Sequence, residues 1–204
     1  MKQEEARNMS EKIKVEEIKD YRTEEAIRRL SVNISNSYPE VKTILVSSVA
    51  GKEGKTFISL HMARILAARG VKTLYINGDL RTGCGEREGL AEVMAGTVES
   101  TKVTYESNCK NLSIIPAGKS SVMIDEVVLK KLLKEVKGAY EYIIIDSPSL
   151  GEVVDGMIIG KFCDGVLLVL EPEIVEEKRI RAVKEELVHS GCNILGVAIN
   201  KKEK

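Results

Sequence analysis

Thr43-Ile-Leu-Val-Ser-Ser-Val-Ala-Gly-Lys-Glu-Gly-Lys-Thr56 reads as a buried strand, a glycine-bearing turn and the start of a helix. The strand is the apolar run Ile44-Leu45-Val46. Two serines and the turn follow, and then Phe57, Leu60, Ala63, Leu66 and Ala67 recur at the three- and four-residue spacing of a helix face. A loop of this form holds a polyphosphate: its backbone N–H groups turn inward and the helix N-terminus adds partial positive charge. In that reading Val49, Ala50, Gly51, Lys52, Glu53 and Gly54 cradle the phosphates. Lys55 reaches the outer ones, Thr56 ligates Mg²⁺ and Phe57 opens the helix beside them.

The strict pattern G-x-x-x-x-G-K-S/T has glycine where this chain has Val49. An ordinary strand-to-helix turn with an exposed lysine is the plainer reading. The placement of Gly54-Lys55-Thr56 at the strand-to-helix junction favours the phosphate loop.

A chain of 204 residues can bury one sizeable α/β core. Its formal net charge of +0 gives no support to a nucleic-acid-binding function. Trp is absent and aromatics are 4% of the chain, so the core must be Ile, Val, Leu and Ala, as suits a parallel sheet covered on both faces. Cys84, Cys109, Cys163 and Cys192 form no C-x-x-C pair and no signal peptide precedes them; they are expected to be reduced thiols of a cytosolic protein. No apolar run approaches the ~20 residues of a membrane span.

Outward from the loop, the same alternation continues. Residues 1–20 are dense in Glu and Lys, and read as a solvated helix or an arm. A helix is expected from about Thr23 to Ser35, ended by Tyr38-Pro39. The N-terminal segment 1–36 is thus set apart from a nucleotide-binding domain of 37–204. Strands are expected at 72–76, from Leu112, at 142–146, 165–170 and 194–199; helices at about 90–95, 125–136, 155–162 and 175–190. Residues 82–109, broken by Gly83, Gly85 and Gly89, are the least regular part. Strands alternating with helices give an α/β fold of P-loop NTPase type: a mostly parallel sheet with helices on both faces.

Ligands of such sheets bind beyond the carboxyl ends of the strands. The first strand delivers Lys55 and Thr56, the second Asp79 and Arg81, and the fourth Asp146 after the apolar run Ile143-Ile144-Ile145. Mg²⁺ takes a hydroxyl, one or two carboxylates and phosphate oxygens, so Thr56 and Asp146 are its candidate ligands. Asp79 is a candidate to accept a proton from an attacking hydroxyl. Each has a plainer alternative. Asp146 and Asp79 could be turn residues, Arg81 a surface charge, and Asn200 either a cap on the last strand or the reader of a base edge.

With these pieces assembled, the chain resembles the bacterial tyrosine kinases of capsule and exopolysaccharide synthesis, the BY-kinases of CpsD/CapB type. The resemblance runs from about Thr23 to Asn200. It rests on EEAIRRL (24–30), VKTILVSS (41–48), GKEGKT (51–56), VKTLYINGDLR (71–81), GLAEVMAG (89–96), LSIIPAG (112–118), YEYIIIDSPS (140–149), DGVLLVLEP (164–172) and NILGVAINK (193–201). It implies an ATP- and Mg-dependent protein-tyrosine kinase. Lys55 and Thr56 would be the Walker A residues, Asp79 part of the second acidic motif (Walker A′) and Asp146 the Walker B aspartate. It also implies protein-tyrosine substrates, a homo-oligomer, and a cytoplasmic chain recruited to the inner face of the membrane by a separate adaptor, the polysaccharide co-polymerase.

The chain departs from that family at several places. The Walker A′ motif usually carries two aspartates, and the first position here is Asn77, which accepts a hydrogen bond but cannot act as a base. The family's E-x-x-R-x-x-R helix motif reads Glu25, Arg28 and then Ser31. Gly51-Lys52 stands where Pro-Gly is common, and no tyrosine cluster follows Asn200. Two other functions therefore stand beside the active kinase. One is an ATP-binding regulator that docks on the adaptor without phosphorylating. The other is a MinD/ParA-type ATPase, although that group has a lysine where this chain has Ala50.

Overall fold

The computed structural model describes residues 12–81 and 85–200. Residues 1–11, 82–84 (with Gly83 and Cys84) and 201–204 lie outside the described residues.

Asp20 caps the first helix, α1 (Tyr21–Ser37), by accepting the Thr23 N–H. β1 (Thr43–Ser48) leads through the loop into α2 (Lys55–Ala68), and β2 (Thr73–Asn77) follows. α3 (Leu90–Met94), a 3₁₀ turn (Ser100–Val103), β3 (Tyr105–Glu106) and β4 (Leu112–Ile115) make the less regular quarter. α4 (Glu126–Lys137) is capped by Asp125 and precedes β5 (Tyr142–Asp146). Then come α5 (Asp155–Gly160), β6 (Gly165–Leu170), α6 (Glu177–His189) and β7 (Ile194–Ile199).

Among the described residues the sheet has seven strands in the order β3-β4-β2-β5-β1-β6-β7. All pairings are parallel except β3 with β4. β1 and β2 are not neighbours; β5 lies between them. Its register sets Asp146 opposite Val46 on one side and Asn77 on the other, so three strand ends meet at one edge.

Successive side chains of a strand point to opposite faces, and here both faces are dry. Leu45, Leu74, Ile76, Ile143, Ile145, Val166 and Leu168 pack with Leu129, Leu132, Ile159, Val183 and Leu187 from α4, α5 and α6. Ile44, Val46, Tyr75, Ile144, Leu167 and Val169 pack with Ile27, Ile34, Ile58, Met62 and Leu66 from α1 and α2. This is the doubly covered parallel sheet that the continuous apolar runs imply. α1 lies on α2 and is tied to it by Glu24 and Arg64, whose charged atoms approach to 2.9 Å. Ser31, at the place of the third residue of the family's helix motif, is buried and bonds back to the Ile27 carbonyl.

Two features escape the sequence pattern. β3 has two residues, too few for any periodicity. Residues 14–20, read as helix or arm, carry no helix. The stretch bridges from Ile13 to Ser107 and buries Val15, whose N–H and C=O are both bonded by the Asn108 side chain.

Candidate functional site

The site forms where β1, β2 and β5 end. Gly54 closes the loop in the left-handed region (φ 89°), a conformation glycine adopts without cost. A Cβ there would lie 2.3 Å from Asn200 Nδ2, which donates to the Glu53 carbonyl at 3.0 Å. Asn200 thus clamps the loop from the end of β7. Lys52 is also left-handed (φ 67°) and exposed. Glu53 is fully buried. Its carboxylate accepts the Ala50 N–H at 2.7 Å and the Glu171 N–H at 3.1 Å, bracing the loop from within.

α2 starts with no side-chain cap. The amides of its first turn therefore point out of the helix end, at the place where Lys55 and Thr56 stand, and an uncapped N-terminus of this kind attracts an anion. Phe57 is exposed and contacts His61 edge-on. A groove of ≈ 620 Å³ opens beside the loop between α1 and β7, lined in part by Ala26, Leu30, Phe57, Ile58 and Asn200.

Thr56 donates its hydroxyl hydrogen to Asp146 Oδ2 at 2.7 Å. Asp146 is 1% exposed, and the Tyr75 hydroxyl stands 3.4 Å from the same oxygen. The other oxygen, Oδ1, is buried and has no hydrogen-bond partner among the described residues. Burial raises the Asp146 pKa to about 6, against the Thr56 hydrogen bond and the Lys55 charge, with the Asp79 charge raising it further. A buried carboxylate with one orphaned oxygen and a hydroxyl on the other matches the hard, oxygen-donor set that Mg²⁺ takes. Among the described residues no cluster of three or more His, Cys, Asp or Glu side chains forms a metal cage, so phosphate oxygens and water would complete such a coordination shell.

Asp79 is 7% exposed and lies near enough to affect Asp146 and Tyr75 electrostatically. Asn77 spends its side-chain oxygen on the Asp79 N–H at 3.1 Å, so it shapes the turn that presents Asp79. The intervening Gly78 lies against β5: its N–H donates to the Asp146 carbonyl at 2.8 Å, the same distance a Cβ there would keep from that oxygen. Arg81 points to Asp155, Nε to Oδ2 at 3.0 Å.

Sequence reading overlooked Asp155, buried at the start of α5; Tyr75, whose phenol adjoins Asp146; and Glu152, which accepts the Gly51 N–H at 3.0 Å. Acidic residues shortly after the β5 aspartate were the available signal for two of them. Their partners are distant in sequence, so no spacing rule reaches them.

Comparison with known proteins shows what the whole chain is similar to. A family model described as an AAA domain matches residues 41–185. The chain is 32% identical over 192 residues to a tyrosine-protein kinase CpsD of Streptococcus agalactiae serotype III, covering 88% of this chain and 83% of that one. The kinase domain of the Escherichia coli tyrosine kinase ETK superposes with a TM-score of 0.79 at 25% identity, over 89% of this chain and 77% of that one. The cell division ATPase MinD of Pyrococcus furiosus gives 0.65 at 26% identity, over 78% and 71%.

Proposed function

Because the chain belongs to the CpsD-type bacterial tyrosine kinases, the BY-kinases, we propose that it transfers the terminal phosphoryl group of ATP to protein tyrosines and so regulates capsular or exopolysaccharide synthesis. The observation that carries the reading is the Thr56–Asp146 pair with its orphaned carboxylate oxygen, set beside an uncapped helix N-terminus.

In this reading the loop amides and Lys55 bind and orient the phosphates, and Phe57 and Asn200 border the groove that would take the base. Thr56 and Asp146 would hold Mg²⁺, which when bound neutralises charge on the outer phosphates. Asp79 takes the proton of the tyrosine hydroxyl as its oxygen bonds to the terminal phosphorus and the bond to the ADP oxygen breaks. Arg81 is anchored by Asp155 on the same rim. Among the described residues no helix is long and apolar enough to cross a membrane; the partner proposed from the family is a membrane adaptor.

The test is phosphotyrosine formation with ATP, Mg²⁺, a tyrosine-containing substrate and an adaptor tail. The chain's own tyrosines sharpen it. Tyr38, Tyr105 and Tyr142 bond through their hydroxyls to Leu195 O, Glu88 O and Ser35, and Tyr75 is buried. Tyr140 is half-buried under Lys72, whereas Tyr21 is 77% exposed. Self-phosphorylation is expected on Tyr21, read by mass spectrometry. Label confined to other tyrosines would count against this assignment, and no phosphotyrosine at all would count against the kinase.

A second reading, a nucleotide-binding regulator without phosphoryl transfer, is favoured by one observation: Asn77 has its side-chain oxygen committed to the turn and no negative charge to offer. Asn77→Asp keeps an acceptor for the Asp79 N–H and restores a carboxylate beside Asp146. If the amide is the defect, the rate should rise by roughly 10²-fold, the lower range for general-base assistance. An unchanged rate would mean that Asp79 suffices alone or, where wild type forms no phosphotyrosine, that the site is silent for another reason.

A further inference from the structure

The backbone after β5 runs back along the start of the phosphate loop. Leu150 N–H donates to Ser48 O at 2.8 Å and Gly151 N–H to Val49 O at 3.1 Å. Gly151 permits this approach, since a Cβ there would lie 2.5 Å from Val49 O. The pairing delivers the next side chain, Glu152, onto the loop, where Oε1 accepts the Gly51 N–H at 3.0 Å. A Cβ on Gly51 would stand 3.3 Å from that oxygen, so glycine leaves room for the carboxylate.

Two carboxylates therefore hold loop amides, and they differ. Glu53 is fully buried and accepts two backbone N–H groups, as a permanent brace does. Glu152 is exposed, accepts a hydrogen bond from the Gly51 N–H alone, and has no cationic partner among the described residues. Its negative charge rests on a loop whose chemistry selects negative charge. The loop it belongs to leaves the strand that ends in Asp146. In the nucleotide reading that side would lie toward the terminal phosphate, because Asp146 would help to hold the Mg²⁺ that neutralises charge on the outer phosphates.

We propose that Glu152 is a displaceable competitor for the terminal phosphate. It occupies the Gly51 amide until a nucleoside triphosphate expels it, and it thereby sets the preference between nucleoside triphosphate and diphosphate. The inference rests on the reading of this loop as a nucleotide site. A carboxylate and a phosphate oxygen cannot share one amide, and their repulsion is strongest for the more highly charged outer group.

Calorimetric titration of wild type, Glu152→Ala and Glu152→Gln with Mg-ATP and with Mg-ADP tests it. Both variants should bind ATP about tenfold more tightly than wild type, and ADP within about twofold, because both remove the charge. ATP binding that weakens in Glu152→Ala but holds in Glu152→Gln would overturn the proposal, since an amide can still accept the Gly51 N–H and the side chain would then be a brace. Unchanged ATP affinity, or an equal gain for ADP, would overturn it as well while leaving the nucleotide reading intact. Absence of ATP binding in all three chains would overturn both. Glu152 is exposed, so neither variant removes a core contact.

Discussion

Lys55→Met is expected to weaken ATP binding by roughly 10²-fold or more while leaving the fold intact. Lys55 is the first residue of α2, follows a left-handed glycine and is only half-buried. Its unbranched stem is matched by methionine, and the helix start depends on Gly54 and the loop rather than on the ammonium. What is lost is a charge-assisted hydrogen bond to phosphate, worth about 1.5–3 kcal/mol when made to a charged group, together with the main side-chain cation of the loop. Affinity should fall by roughly 10²-fold or more. Calorimetry on the folded variant checks this, and an unchanged dissociation constant would remove Lys55 and the whole loop from the site.

Asp146→Asn should separate activity from stability, with opposite signs. The amide is isosteric and can still accept the Thr56 hydroxyl hydrogen, but it offers Mg²⁺ no charge. Phosphoryl transfer is expected to fall by about 10²–10⁴-fold, the scale of losing a central charged group. Without metal, however, the folded carboxylate is a liability. Its pKa rises from 3.8 to about 6 in the fold, because burial disfavours the ionised form. Between about pH 4 and pH 6 the folded chain holds a proton that the unfolded chain has released. The group's contribution to stability therefore declines as pH rises through that window and is flat above it. At neutral pH the metal-free variant should be the more stable by up to about 3 kcal/mol, from the two-unit shift, and by much less near pH 3.5. Thermal melts of both chains across that range, without metal, measure the difference. A variant less stable than wild type at pH 7 would show that the Asp146 charge supports the fold, and would count against its reading as a metal ligand.

The same aspartate shows how far the linear pattern carries. Ile143-Ile144-Ile145 and Gly165–Leu170 announce strands because they carry no polar side chain, as burial on both faces demands, and the structure has β5, which ends in Asp146, and β6 over those stretches. Tyr105–Glu106 could not be found that way; a two-residue strand exists only because Ile114 and Ser113 of β4 lie opposite it. Glu53 reads as one more polar loop residue, yet it is buried, because the Ala50 and Glu171 amides satisfy its carboxylate. Arg81 reads as a surface charge or a site residue, and its ion pair with Asp155 depends on α5 lying against the segment that follows β2.

What the sequence by itself determined is everything local: the strand–loop–helix at 43–68, the alternation of apolar runs with amphipathic stretches, and the family to which those motifs belong. Such features follow from backbone propensity and from side-chain periodicity within one element. What only the tertiary structure decided is which strand ends meet. The insertion of β5 between β1 and β2 brings Thr56, Asp146, Asn77 and Asp79 to one edge and strips Asp146 of water. It also leaves one carboxylate oxygen without a partner among the described residues and lays Glu152 across the loop. Those contacts join residues far apart in the chain through burial and long-range hydrogen bonds, which no spacing within a single segment encodes.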